Sequence, residues 1–205
     1  MAPSGFLNRL AGRYGYSRYL EVGVQTGRTF KEVSCGERMG MDPALRGKLY
    51  GVVRMTSDEF FDWLPSGVEF DLAFVDGLHL REQALRDVRN SLSRLSAGGM
   101  VVLHDCLPRS EGQQGRRQVG GSWTGDVWRA MAELRMDAGL ESVTVREDWG
   151  FGVVWKGGNS EVLSGVDPEG LGWEDYAMRG DQLLRLMTFE EFWRFLDGHG
   201  PGRVG

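Results

Sequence analysis

The chain has 205 residues, 41% hydrophobic and 26% charged, enough to bury one substantial core and little more, so a single globular domain is expected. A net charge of −5, with no basic block beyond Arg116-Arg117, lacks the electrostatic footprint of a nucleic-acid binder. No run approaches the roughly 18 apolar residues of a membrane span, and Met1-Ala2-Pro3-Ser4-Gly5 lacks the basic and apolar regions of a secretory leader, which predicts a cytoplasmic chain with no membrane partner.

Cys35 and Cys106 stand far apart, with no CxxC or Cys/His cluster, so both are expected to stay reduced. In chain order, Arg18-Tyr19-Leu20-Glu21-Val22-Gly23 reads as a short buried strand ending in glycine, with a helix following at about 26–34. Arg38 to Asp42, stopped by Pro43, and Leu49 to Val53 are the next strands. Thr56 and Glu59 then have capping-box spacing ahead of Phe60-Phe61. Phe70 to Asp76 is a fourth strand; Leu85, Val88, Leu92 and Leu95 recur on one helical face, and Met100 to Asp105 is a fifth strand.

Strand and helix in alternation demand crossover connections and a parallel sheet covered on both faces. The end differs. After a helix near 124–137, the strands Val143 to Arg146 and Phe151 to Trp155 are separated only by Asp148-Trp149-Gly150, and a connection so short permits only an antiparallel pair. The predicted fold is a Rossmann-like, mostly parallel seven-stranded α/β sheet with an antiparallel terminal hairpin. It spans 1–157, and Gly157 to Ser160 leads into a helical extension, 158–205, of the same domain. Within it Trp173 to Leu196 reads as one or two helices, with Thr188 and Glu191 as a second capping box. Trp173, Tyr176, Leu183, Leu184, Phe192 and Trp193 are too apolar for a free tail. These helices should dock on the core or on a second copy in a homo-oligomer.

Glu21-Val22-Gly23-Val24-Gln25-Thr26-Gly27 lies at the first strand-to-helix turn, and Asp42 ends the second strand, on the edge where open α/β sheets bind ligands. Gly23 and Gly27 permit a tight turn, and Asp42 is placed to accept hydrogen bonds from both hydroxyls of a ribose. A dinucleotide site would need glycine at Gln25, where pyrophosphate approaches the backbone, and Glu21 would repel that pyrophosphate while suiting a cation. S-adenosylmethionine (SAM), a sulfonium without phosphate, meets these conditions.

YLEVGVQTGRTF, GMDP, MTSDEFF, FDLAFVDGLH, SAGGMVVLHDCLP, GDVW and FGVVW, spread over about 16–157, resemble the class I SAM-dependent methyltransferases, and within them the type 24 methyltransferase family. The resemblance implies that Glu21, Gly23 and Gly27 shape the pocket for the methionine part of the cofactor and that Asp42 holds the ribose. It places Ser57 and Asp58 near adenine, or else in capping alone. In related enzymes that methylate hydroxyls, the aspartate matching Asp76 binds a divalent metal or the cofactor amino group, and the histidine matching His79 acts as base. The alternative for His79 is capping the helix that starts at Leu80.

His104 and Asp105 stand where metal-dependent relatives present paired oxygen ligands, so Asp76, His104 and Asp105 are the candidate metal set and Asp105 joins His79 and Asp76 as catalytic candidates. With a histidine among them, manganese, iron or zinc suits the set better than magnesium. The alternative is that His104 packs on the sheet and Asp105 caps the next loop. Arg109, Arg116 and Arg117 lie in the loop 107–121, where such enzymes build substrate lids, and either bind an anionic group on the acceptor or are solvated. Trp123 could stack on a sugar or aromatic acceptor, while Trp128 reads as packing. The expected activity is methyl transfer to an oxygen of a small molecule or glycan, and the resemblance implies natural-product or surface-polysaccharide pathways. The competing readings are an NAD-dependent oxidoreductase and a catalytically inactive cofactor-binding partner subunit.

Overall fold

A computed structural model of the chain describes residues 1–202. The first element, α1 (Pro3–Tyr14), has proline in its first turn, where the missing N–H costs nothing, and stops at Gly15 in the left-handed conformation. The order continues β1 (Arg18–Val22), α2 (Arg28–Glu32), β2 (Glu37–Met41), β3 (Val52–Val53), α3 (Ser57–Trp63), β4 (Phe70–Val75), α4 (Arg81–Ser93) and β5 (Leu95–Leu103). It closes with α5 (Val127–Leu134), β6 (Leu140–Val145), β7 (Phe151–Lys156), α6 (Trp173–Leu184), β8 (Leu186–Met187) and α7 (Phe189–His199).

All eight strands form one sheet in the order β3-β2-β1-β4-β5-β7-β6-β8. β3, β2, β1, β4 and β5 run parallel, and β7 is antiparallel to both β5 and β6. Neighbouring side chains alternate between two cores. Leu20, Val22, Ala73, Val75, Val101 and Leu103 face α3, α4 and α5, while Tyr19, Leu72, Phe74, Met100 and Val102 face α1, α2 and α7. Because the sheet grows outward in both directions from β1 and β4, the loops after these two strands diverge and leave a crevice at their carboxyl ends.

Four features depart from the sequence expectation. The sheet has eight strands where seven were predicted: Leu186 and Met187 pair in parallel with Thr144 and Val145, and a two-residue strand has no periodicity to read. β5 starts at Leu95, earlier than Met100, with a register shift against β4 between Phe70 and Leu72. The strand expected over Leu49 to Val53 shrinks to Val52 and Val53 because a turn occupies the residues before it. α1 was not anticipated; it buries Phe6, Leu7 and Leu10.

The tail helices pack on the chain's own core. Leu183 and Leu184 join the first core, and Phe192 and Leu196 the second, where Phe192 meets Phe6 with ring centroids 5.6 Å apart. Buried Arg135 ties the segment down, donating to the carbonyls of Gln182 and Glu161. Both predicted capping boxes form, Thr56 with Glu59 and Thr188 with Glu191. Cys35 and Cys106 are both free and buried. Among the described residues no helix is long and apolar enough to cross a membrane.

Candidate active site

The crevice is a cavity of about 770 Å³. Its floor is the turn after β1. Gly23 has φ of 91°, and a Cβ there would stand 2.1 Å from the carbonyl oxygen of Asp76, so only glycine lets the two loops meet. Gln25 is also left-handed, at φ 47°, and its N–H donates to Asp42 Oδ2 at 2.7 Å; the N–H of Ala44 donates to Asp42 Oδ1 at 2.7 Å. Each oxygen of Asp42 thus has one backbone donor and keeps acceptor capacity for hydroxyls in the cavity it lines.

Two of the expected cofactor-shaping residues stand behind this surface. Glu21 shares a strand face with Tyr19, away from the cavity, and its Oε2 accepts the Tyr19 hydroxyl at 2.6 Å. Burial pushes the Glu21 carboxyl up to about 8; the Tyr19 hydrogen bond opposes this and Asp76 adds to it. Gly27 begins α2 at φ 74°, packed so closely that a Cβ would stand 2.1 Å from Leu49 Cδ1. Neither residue lines the cavity.

Ser57 and Asp58, in the first turn of α3 behind the Thr56 cap, do line it. Two residues from α4 that the sequence reading missed join them. Gln83 Nε2 donates to Ser57 Oγ at 3.0 Å and to Asp87 Oδ1 at 2.9 Å, and burial pushes Asp87 up to about 6 against the hydrogen bonds it accepts from Ser57 and Gln83. Residues 83 and 87 are four apart on one helical face, and a carboxylate beside the apolar stripe was the readable signal. Asp58 is also paired with Arg86 at 2.8 Å.

The far end of the cavity holds the strand-end residues. His79 Nε2 lies 3.1 Å from Asp105 Oδ2 and 3.5 Å from Asp76 Oδ1. Its Nδ1 faces the Trp123 carbonyl at 3.1 Å, and since a carbonyl only accepts, Nδ1 carries hydrogen, which leaves Nε2 as the nitrogen turned to the two carboxylates. Burial lowers the His79 pKa, but the two aspartates raise it further, and the net shift is upward. His79 does not cap α4; Asp126 Oδ1 does, accepting the Arg81 N–H at 2.7 Å. Asp105 stands at φ 60°, a left-handed backbone rarely adopted by a residue with a side chain.

His104 follows β5 as expected and packs on the sheet, but both ring nitrogens are engaged. Its Nδ1 faces Asp76 Oδ1 at 3.3 Å and its Nε2 faces Asp148 Oδ2 at 3.3 Å, while its ring stacks on Phe151 at 5.3 Å. With carboxylates at both nitrogens it is an imidazolium: burial lowers its pKa, and Asp76 and Asp148 carry it up to about 10. A metal ligand needs a free nitrogen lone pair, so His104 leaves the expected ligand set. Among the described residues the group able to hold a metal is instead Asp76, His79 and Asp105, whose donor atoms lie within 4.8 Å of one another. Two carboxylate oxygens and one imidazole fit a manganese, iron or zinc ion. Burial raises Asp76, but His104 and His79 outweigh it and hold its carboxyl well below the usual range; burial and Asp76 push Asp105 up.

The loop arginines divide. Arg116 bridges Glu82 at 3.0 Å and Asp126 at 2.7 Å, fixing the loop to α4. Arg109 lies over the Trp149 ring at 4.0 Å, and Arg117 is exposed. Trp123 lines the cavity with its ring 4.9 Å from His79, whereas Trp128 is fully buried against Tyr176.

This sheet order is Rossmann-like, with the crevice after β1 at the carboxyl ends of the parallel strands and an antiparallel β7 closing the other side. Residues 24–106 match the model of the type 24 family, described as a methyltransferase domain, which favours the methyltransferase side of the alternatives raised by the sequence. Among curated proteins no sequence matches it significantly. Solved structures share the fold at low identity. An SAH-bound methyltransferase from Podospora anserina is 17% identical, with a TM-score of 0.60 over 77% of this chain and 80% of that one. The O-methyltransferase TomG from Streptomyces achromogenes, solved with SAM, is 16% identical, with a TM-score of 0.58 over 77% and 81%. An O-methyltransferase from Bacillus cereus in complex with SAH is 14% identical, with a TM-score of 0.57 over 76% and 82%.

Proposed function

We propose that this methyltransferase methylates an oxygen: it transfers the methyl of SAM to the hydroxyl of a small molecule or glycan. The observation that carries this reading is His79 Nε2, held between Asp105 and Asp76 at the far end of the cavity from Asp42 and Ser57. When bound, SAM supplies an electrophilic methyl group. Asp42 binds the ribose hydroxyls through acceptor capacity left by its two backbone donors, and Ser57, Asp58, Gln83 and Asp87 surround the adenine end. The Trp123 carbonyl orients His79 through Nδ1–H, and His79 takes the acceptor's proton at Nε2, where Asp105 and Asp76 favour the charged ring, as the new oxygen–carbon bond forms and the sulfur–carbon bond breaks. Asp105 and Asp76 then face the imidazolium so formed. His104, held by Asp148, balances the charge of Asp76.

The donor set at Asp76, His79 and Asp105 supports a second reading, in which these three hold a divalent ion that would lower the pKa of a bound hydroxyl. The test is incubation of the protein with SAM and a panel of hydroxylated small molecules and sugars, read by mass spectrometry. Products heavier by one methylene and bearing an O-methyl group support the proposal. Methylation confined to nitrogen or carbon acceptors would overturn it.

A further inference from the structure

Of the three loop arginines, Arg109 is held at the Asp148-Trp149 turn and has no acid partner among the described residues. Its guanidinium lies 4.0 Å from the centroid of the Trp149 ring, Nη2 donates to the Asp148 carbonyl at 3.1 Å, and its backbone N–H donates to Gln113 Oε1 at 2.7 Å. Four of its five side-chain N–H groups make no hydrogen bond among the described residues. The planar fork is therefore aimed by stacking and one carbonyl, with most of its donors free. A guanidinium is weakly hydrated and matches a carboxylate or phosphate in bidentate geometry.

Its position matters as much as its freedom. Arg109 lines a second cavity of about 510 Å³, against α6, with Arg146, Asp148 and Tyr176. The acids around that cavity are already engaged: Asp148 with His104, Glu147 with the Met1 amino group, and Asp181 with Arg146. The adjoining residue Trp149, whose ring Arg109 covers, lines the first cavity together with His79 and Asp105. Adjacent residues of the Asp148-Trp149 turn thus line the two cavities, and Arg109 stands on that turn with no acid partner among the described residues.

We propose that Arg109 binds an anionic group, a carboxylate or a phosphate, on the methyl acceptor. The acceptor's hydroxyl lies at His79 in the first cavity and its anionic end lies in the second. This rests on the O-methyltransferase reading and adds to it the acceptor's chemical class, an anionic hydroxylated molecule.

The experiment uses the full chain saturated with S-adenosylhomocysteine at fixed ionic strength. Binding of two matched pairs, 3,4-dihydroxybenzoate against catechol and glucose 6-phosphate against glucose, is measured by calorimetry for the wild type, Arg109→Gln and Arg117→Gln. In the wild type the anionic member of at least one pair should bind about tenfold tighter or more, the scale of a charged hydrogen bond. Arg109→Gln should remove that advantage, while Arg117→Gln and the affinity for S-adenosylhomocysteine stay unchanged. A wild type with no preference in either pair, or a preference that survives Arg109→Gln, overturns the proposal. Absence of S-adenosylhomocysteine binding would overturn the cofactor reading beneath it, a separate and earlier failure.

Discussion

His79 and Asp105 meet across the mouth of the sheet, Nε2 to Oδ2 at 3.1 Å, although they come from loops after different strands. The contact places His79 Nε2 in the lining of the cavity that an acceptor must enter. His79→Ala should leave the dissociation constant for S-adenosylhomocysteine within about threefold while lowering kcat by roughly 10² or more, the scale of a lost general base. Equal losses in cofactor binding and turnover would make His79 part of the cofactor pocket instead.

Chelation separates the two readings of the same cluster. If Asp76, His79 and Asp105 hold a divalent ion, a chelator should abolish turnover, and manganese, zinc or iron should restore it better than magnesium because one ligand is an imidazole. Turnover unaffected by the chelator would leave proton removal to His79 alone. Measured methyl transfer before and after metal add-back decides the matter.

The Glu21 carboxyl, buried beside Tyr19 and raised to about 8, should imprint on stability. From its ordinary value near 4.5 up to about 8, the folded state holds a proton that the unfolded chain has released, so stability falls as pH rises through this window. Glu21→Gln cannot release that proton. Its melting temperature relative to the wild type should rise steadily between pH 5 and 8, and a difference that does not vary with pH would contradict the assignment.

Phe192 is fully buried against Phe6, which makes the tail part of the fold. Phe192→Ala should cost about 3–5 kcal/mol, as for other large aromatic deletions in cores, and truncation after Lys156 should expose both cores and cause aggregation. Chemical denaturation and light scattering read these out. A monodisperse truncated chain of unchanged stability would show that 158–205 is dispensable.

The alternation of apolar runs and one-sided helices made the parallel sheet legible, because burial on both faces writes itself into continuous strands such as Phe70–Val75. The Asp148-Trp149-Gly150 turn made the antiparallel pair legible through length alone. What remained hidden depends on direction in space. Residue type and strand-end position marked His104, yet only the structure places its two nitrogens against Asp76 and Asp148. Glu21 was read at the pocket because the turn is one residue away, whereas the two-residue strand period turns it to the opposite side with Tyr19. Trp149 and Arg109 sit 40 positions apart in sequence, and their stacking has no local signature.

The account stands most directly on what occupies the cavity beside Asp42. Calorimetric titration of the full chain with S-adenosylhomocysteine should give a micromolar dissociation constant for the wild type. Asp42→Ala should weaken it by about 1–3 kcal/mol, the range for losing charged hydrogen bonds, while NAD should give no binding at the same concentrations. Binding of NAD in preference to S-adenosylhomocysteine, or an affinity for S-adenosylhomocysteine that Asp42→Ala leaves unchanged, would contradict it.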